Sequence, residues 1–258
     1  MDYLSHRTVV PSEIKAGDHI YTWRNGFLYS HHGIYVCEKM VIHFGPEKDD
    51  SISGLKWNVS SVLSSSVTSH SALCLNSHDS GSSLSMCSHC TSWNPNIPAS
   101  WLRFFFFWNR KDSCLSLPHC GYRQPDSGVI ISCLNCFIDT GSLNRFQYGV
   151  GTLSYVSNHG GTCTIAKSDP PEEVIKRAVY LLRHGFFSYD VLRNNCEGFA
   201  LYCTTGLVIR GKVTTGSSGQ VNRSIRGKEA SYMTDIGVRD DVEKVAVEQV
   251  VEFRRRNM

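Results

Sequence analysis

The sequence predicts an α+β fold, with a small antiparallel sheet packed against helices. Three observations carry this: a run of strands near the start, two helices further on, and a serine-rich stretch between them with neither period. Asp18 to Arg24 has the β-branched and aromatic content of a strand, and Asn25-Gly26 is a hairpin turn signal. Phe27 to Val36 and Val41 to Phe44 read as two more strands, parted by a polar turn at Cys37, Glu38 and Lys39. From about Glu47 to Leu117 serine is abundant and apolar residues are unpatterned. Loops longer than about 15 residues are uncommon inside compact domains. Residues 47–117 are therefore expected to be a long disordered insertion interrupting one domain over 11–207.

Ordered patterning returns beyond Pro118. Val129 to Phe137 and Leu143 to Val150 have strand composition. Asp169-Pro170-Pro171 opens a helix over Glu172 to His184, with acidic residues in its first turn and Gly185 just past its end. Val174, Ile175, Ala178, Leu181 and Leu182 fall on one face, which should pack on the core. A second helix should begin near Asn194-Asn195, run through Cys203 and stop by Gly206. Residues 208–258 read as a linker and C-terminal tail, with a helix from Asp240 to Arg256.

Composition narrows the function classes. The 258 residues are 41% hydrophobic and 11% aromatic, which excludes a disordered or fibrous chain. A balance of 26 basic to 23 acidic residues argues against a general nucleic-acid binder. No apolar run reaches the roughly 18 residues of a membrane span. Met1 to Val10 lacks the basic start and apolar core of a signal peptide, so a cytoplasmic setting is expected. The eleven cysteines should then be thiols, metal ligands or a nucleophile.

Cys196 is the candidate nucleophile. Asn195 is a favoured helix N-cap, which sets the thiol in a first helical turn. There the unpaired N–H groups and the helix dipole favour thiolate. The alternative is a small buried cysteine at an ordinary helix start. His31 and His43 lie on the two strands flanking the Cys37–Lys39 turn. If that turn is a three-residue loop, Val36 pairs with Met40 and Gly33 with His43, so His31 and His43 share a face. A one-residue change in loop length would separate them. Two same-face histidines and a distant helix-start cysteine suggest a base, an orienting group and a nucleophile. The alternatives are a satisfied core histidine at His43 and a surface one at His32.

These residues carry a resemblance. Tyr29-Ser30-His31-His32-Gly33-Ile34-Tyr35-Val36, Val41-Ile42-His43-Phe44 and Asn195-Cys196-Glu197-Gly198-Phe199 resemble the lecithin retinol acyltransferase (LRAT) family, of the NlpC-type, permuted papain-like thiol superfamily. Gly17-Asp18-His19-Ile20-Tyr21, Ser132-Cys133-Leu134-Asn135-Cys136-Phe137 and Gly160-Gly161-Thr162-Cys163-Thr164 make its plant LRAT-domain members the nearer likeness. The resemblance implies a permuted papain-like fold, and acyl transfer from a phospholipid or other acyl donor through a Cys196 thioester to an amine, alcohol or water. It implies His31 as general base and His43 as the histidine that orients it, with no cofactor required for catalysis. Gly198 stands where the family usually has histidine. The competing class is an inactive LRAT-fold interaction module.

Two further expectations remain. Cys133-x-x-Cys136, with Cys120 upstream, suggests a structural zinc site; plain thiols are the alternative, since Leu117 breaks a second such pair. Cys114 or His119 could substitute, and Cys87-x-x-Cys90 is another pair. Val242, Val245, Val250 and Phe253, with Arg254 to Arg256, could make a peripheral membrane contact, a solvated tail helix being the alternative.

Overall fold

The structure is a computed structural model that describes residues 8–24, 28–37, 39–46, 120–124, 127–211 and 214–257. The stretch expected as an insertion, 47–117, lies outside the described residues, as do Asn25-Gly26, Glu38, Cys114, His119, Cys87 and Cys90. Along the chain come β1 (His19–Arg24), β2 (Tyr29–Cys37), β3 (Met40–Phe44), β4 (Tyr122–Arg123) and β5 (Val129–Cys133). The helix α1 (Leu134–Ile138), β6 (Leu143–Arg145) and α2 (Thr152–Ser157) follow. Next are α3 (Pro171–His184), α4 (Cys196–Thr205), β7 (Leu207–Ile209), α5 (Gly219–Arg226), α6 (Lys228–Tyr232), β8 (Val242–Lys244) and α7 (Val250–Asn257).

Six strands form one antiparallel sheet in the order β4-β5-β3-β2-β1-β6. Because side chains alternate across a strand, the sheet has two distinct apolar faces. Ile34, Val36, Ile42, Phe44, Val129 and Ile131 meet α3 and α4 through Val174, Ala178, Leu181, Leu182, Phe199 and Cys203. Leu181 and Leu182 are fully buried, each stabilising by about 1.5–3 kcal/mol. Ile20, Val41 and Leu143 meet Leu134 and Phe137 of α1 on the other face.

Several sequence expectations change in detail. Gly33 does pair with His43, but Cys37 rather than Val36 pairs with Met40, because the register shifts between Tyr35 and Cys37. A bulge there takes up one residue, and Lys39 adopts a positive φ of 64° in the tight connection. Val129 to Phe137 is not one strand. The Cys133 thiol accepts the Cys136 N–H, caps a helix and turns the chain into α1. Only Leu143 to Arg145 of the next predicted strand joins the sheet.

The C-terminal segment, expected as linker and tail, folds onto the domain. β7 pairs with β8, and Val245, Val247 and Val250 are buried in the α3–α4 core with Phe253 packed against it. The apolar face expected to touch a membrane is thus largely spent on the interior. Among the described residues no helix is long and apolar enough to cross a bilayer.

Gly33 sits at a crowded point of the α1 face. A Cβ there would lie 2.6 Å from Val41 Cγ1, 2.9 Å from Phe137 Cε2 and 3.1 Å from His43 Cβ. Gly33→Ala is expected to cost about 1–3 kcal/mol by overpacking. Urea unfolding monitored by tryptophan fluorescence checks this, and an unchanged midpoint would contradict the packing described.

Candidate active site

Alternation along β2 separates its two consecutive histidines. His31 points to the α1 face and joins His43, with His31 Nε2 and His43 Nδ1 3.1 Å apart. His43 Nε2 lies 2.9 Å from Ser132 Oγ on β5. Phe137 backs both rings at centroid distances of 5.3 and 5.6 Å. His32 points the other way and is fully buried, so the alternative of a surface histidine there does not hold. Its Nδ1 is 2.8 Å from His19 Nε2 and its Nε2 is 2.8 Å from Ser30 Oγ. His19 Nδ1 meets the Tyr148 hydroxyl at 2.7 Å. The parity argument that joined His31 to His43 also implied that His32 faces the helices.

Cys196 opens α4 as its first residue. The Asn195 side chain accepts the Gly198 N–H at 3.0 Å and caps the helix. The family's usual histidine is therefore not needed to start this helix. A Cβ at position 198 would meet Ser217 Oγ at 3.2 Å, so that side chain would have to give by a few tenths of an ångström.

The thiol reaches the edge of β2. Tyr35 exchanges backbone hydrogen bonds with Gly17 and Asp18 on the β1 side. Alternation then turns the peptide groups of Ser30 and His32 to the opposite side, where pairing with β3 begins only at Gly33. Cys196 fills part of that gap. Its thiol lies 3.8 Å from the Ser30 carbonyl and is also hydrogen-bonded by the His32 N–H. These are the peptide groups immediately before and after His31. Gln220 fills the remainder: its amide accepts the Ser30 N–H at 3.0 Å and donates to the Ser30 carbonyl at 3.1 Å.

Glu197 anchors Gln220. Fully buried, it accepts from Ser218 Oγ at 2.6 Å, Gly219 N–H at 2.9 Å and Gln220 N–H at 3.1 Å. Its carboxylate thus meets the start of α5, where unpaired N–H groups favour an anion. Burial nevertheless raises its pKa against those hydrogen bonds. No sequence spacing pointed to Gln220, which lies 190 residues from Ser30.

Electrostatics correct one expectation. The helix start was expected to favour thiolate, and N–H groups of His32, Glu197 and Cys196 do lower the Cys196 pKa. Burial outweighs them and pushes it up to about 12. Burial, helped by Arg24, lowers His31 to about 3. Burial also lowers His43 well below 6.5, with His31 and two arginines adding to the effect. At rest the thiol and both imidazoles are neutral.

The cysteines expected to form a metal group also come together. Cys120, Cys133 and Cys136 bring their sulfurs within 4.8 Å of one another.

The chain is thus an α+β domain with a helix-start cysteine set against the edge of β2, whose His31 pairs with His43 of β3. The family profile described as lecithin retinol acyltransferase matches residues 12–209, and the chain belongs to that family. It is 34% identical to Protein LEAD-SENSITIVE 1 of Arabidopsis thaliana over 279 aligned residues, covering 97% of this chain and 90% of that one. It is 39% identical to human lecithin retinol acyltransferase over 82 residues, covering 32% of this chain and 33% of that one. No solved structure gives a significant match.

Acid should unfold this protein readily. His19, His31, His32 and His43 all have folded pKa values below 6.5. Below about pH 6.5 the unfolded chain therefore binds more protons, and stability falls as pH falls, by about 1.4 kcal/mol per pH unit for each uncompensated proton. Glu197 and Asp235, whose folded pKa values are raised, oppose this nearer pH 4. Urea midpoints should fall steeply from pH 7 to pH 5. A flat profile over that range would show that these histidines are not held neutral.

Proposed function

We propose that this chain is a thiol-dependent acyltransferase in which Cys196 takes an acyl group from a phospholipid or similar ester and passes it to an amine, an alcohol or water. The observation that carries this reading is the position of the Cys196 thiol between the two peptide groups that flank His31. Membership of the lecithin retinol acyltransferase family supports the acyl chemistry, and the human relative bears that activity in its name.

The hydrogen-bond chain suggests the tautomers. With His43 Nε2–H donating to Ser132 Oγ, His43 Nδ1 is left to accept from His31 Nε2–H. His31 Nδ1 then keeps its lone pair for the thiol proton. In the proposed reaction sulfur attacks the ester carbonyl as His31 takes the S–H proton. The oxyanion develops near the Cys196 backbone N–H at the helix start. Collapse breaks the ester C–O bond, and the departing alkoxide takes the proton from His31. The acceptor then loses its proton to His31, attacks the thioester and restores the thiol, with the proton returning to sulfur. Because both resting groups are neutral, proton transfer accompanies attack, with no thiolate–imidazolium pair in the resting site. His43 and Ser132 hold the base in its tautomer, a role histidine can fill without itself changing charge.

Incubating the protein with a phosphatidylcholine of defined chains should leave one acyl thioester on Cys196, detected by mass spectrometry of peptides kept at mildly acidic pH. Cys196→Ala should abolish it, and His31→Gln should slow acylation about 10²–10⁴-fold. No adduct, with turnover unchanged in Cys196→Ala, would sink the proposal.

The rate should follow a distinctive pH profile. With His31 near 3, the base stays unprotonated through pH 5. Single-turnover acylation of still-folded protein should therefore not decline between pH 7 and pH 5.5, as it would with an ordinary histidine. A limb centred near pH 6.5 would show that the base is solvated.

A further inference from the structure

The fold brings three cysteines from two separate segments to one corner of the sheet. Cys120 sits in the turn before β4, Cys133 ends β5, and Cys136 lies in the first turn of α1. Cys133 is buried, Cys120 half-buried and Cys136 exposed, so the cluster is anchored inside and open on one side.

Its geometry resembles a ligand set more than a chance meeting. All three sulfurs lie within 4.8 Å of one another. Two thiolates on one tetrahedral zinc, each about 2.3 Å from the ion, sit about 3.8 Å apart. Small side-chain rotations close that difference. Backbone N–H groups already point at two of the sulfurs: Cys133 N–H to Cys120 Sγ at 3.2 Å, and Cys136 N–H to Cys133 Sγ at 3.3 Å. Such bonds orient thiolates and offset their charge, as partners around a bound metal do. Gly121, directly after Cys120, has a positive φ of 86° and donates to the Ile131 carbonyl at 2.8 Å, which sets the Cys120 turn against β5.

We propose that Cys120, Cys133 and Cys136 form a three-thiolate site for a thiophilic divalent cation, zinc being the ion of matching softness and geometry. A solvent-derived ligand on the Cys136 side completes the tetrahedron. On binding, each S–H proton passes to solvent and each sulfur gives an electron pair to the metal, with no change of oxidation state.

The site has a structural task written into its neighbours. Ser132, bonded to His43, directly precedes Cys133, and Phe137, which backs both histidine rings, directly follows Cys136. A metal across this corner fixes the two residues that shape the His31–His43 pair. Zinc binding itself is independent of the acyl-transfer reading.

The test uses the full chain, purified under reducing conditions. Zinc should be present at about one per chain by elemental analysis. Added cobalt should give a thiolate-to-metal charge-transfer band. Competition with a chromophoric chelator should show affinity lowered at least about 100-fold in Cys120→Ser and in Cys136→Ser. The double variant Cys87→Ser and Cys90→Ser, altering the other Cys-x-x-Cys pair, should keep wild-type affinity. Cys136 is exposed, so its variant should fold, which circular dichroism checks. Absence of zinc and of the cobalt band with all thiols reduced would overturn the proposal. So would zinc lost only in the Cys87 and Cys90 variant, or a disulfide joining two of the three cysteines in the purified protein.

Discussion

The arrangement depends on how the exposed edge of β2 is satisfied. Where β3 stops, the peptide groups of Ser30 and His32 would face no partner, and an unpaired buried backbone group costs about 1–3 kcal/mol. Here the place of a neighbouring strand is taken by a thiol and a side-chain amide, those of Cys196 and Gln220. This one repair locates α4 against the sheet, brings sulfur to the backbone beside His31, and ties α5 into the domain through Glu197. The site and the sheet edge are parts of the same solution.

Much of this was legible from local pattern. The helices around Leu181 and Phe199 follow from apolar periodicity, an N-cap at Asn195 and glycine at positions 185 and 206. The Gly33–His43 pairing followed from a short connection between two strands, because local contacts are fixed by few residues. The bulge by Tyr35 was not legible, since one absorbed residue changes no composition. Leu134 to Phe137 looked like strand by residue type, yet the Cys133 cap turned it into helix. The most consequential misses were long-range. Ser132 and Phe137 stood in a family-like motif but with no role, and Gln220 had no signal at all; each acquires meaning only when folding brings it to His43, His31 or Ser30. Val245 and Val250 looked like one face of a tail helix, but burial against α3 and α4 outweighed that local pattern.

The two histidine pairs show how environment divides identical chemistry. His31 and His43 keep a partly exposed position and end on a serine. His19 and His32 are shut in by Tyr21, Phe146 and Tyr148. The first pair lies on the α1 face under Phe137. The second links β1, β2 and the Tyr148 segment, and its interest is in holding the strand that the first pair stands on.

Consecutive histidines in β2 also create a decoy. Sliding that strand by a single residue would still present an imidazole toward α1, so histidine content alone does not distinguish the correct alignment from its neighbour. Gly33 does. Under Phe137 and opposite His43 there is room for a hydrogen atom and nothing larger. A slipped strand would force Ile34 or His32 into that space. The smallest residue in the motif thus acts as a proofreading key for the alignment of the histidines beside it.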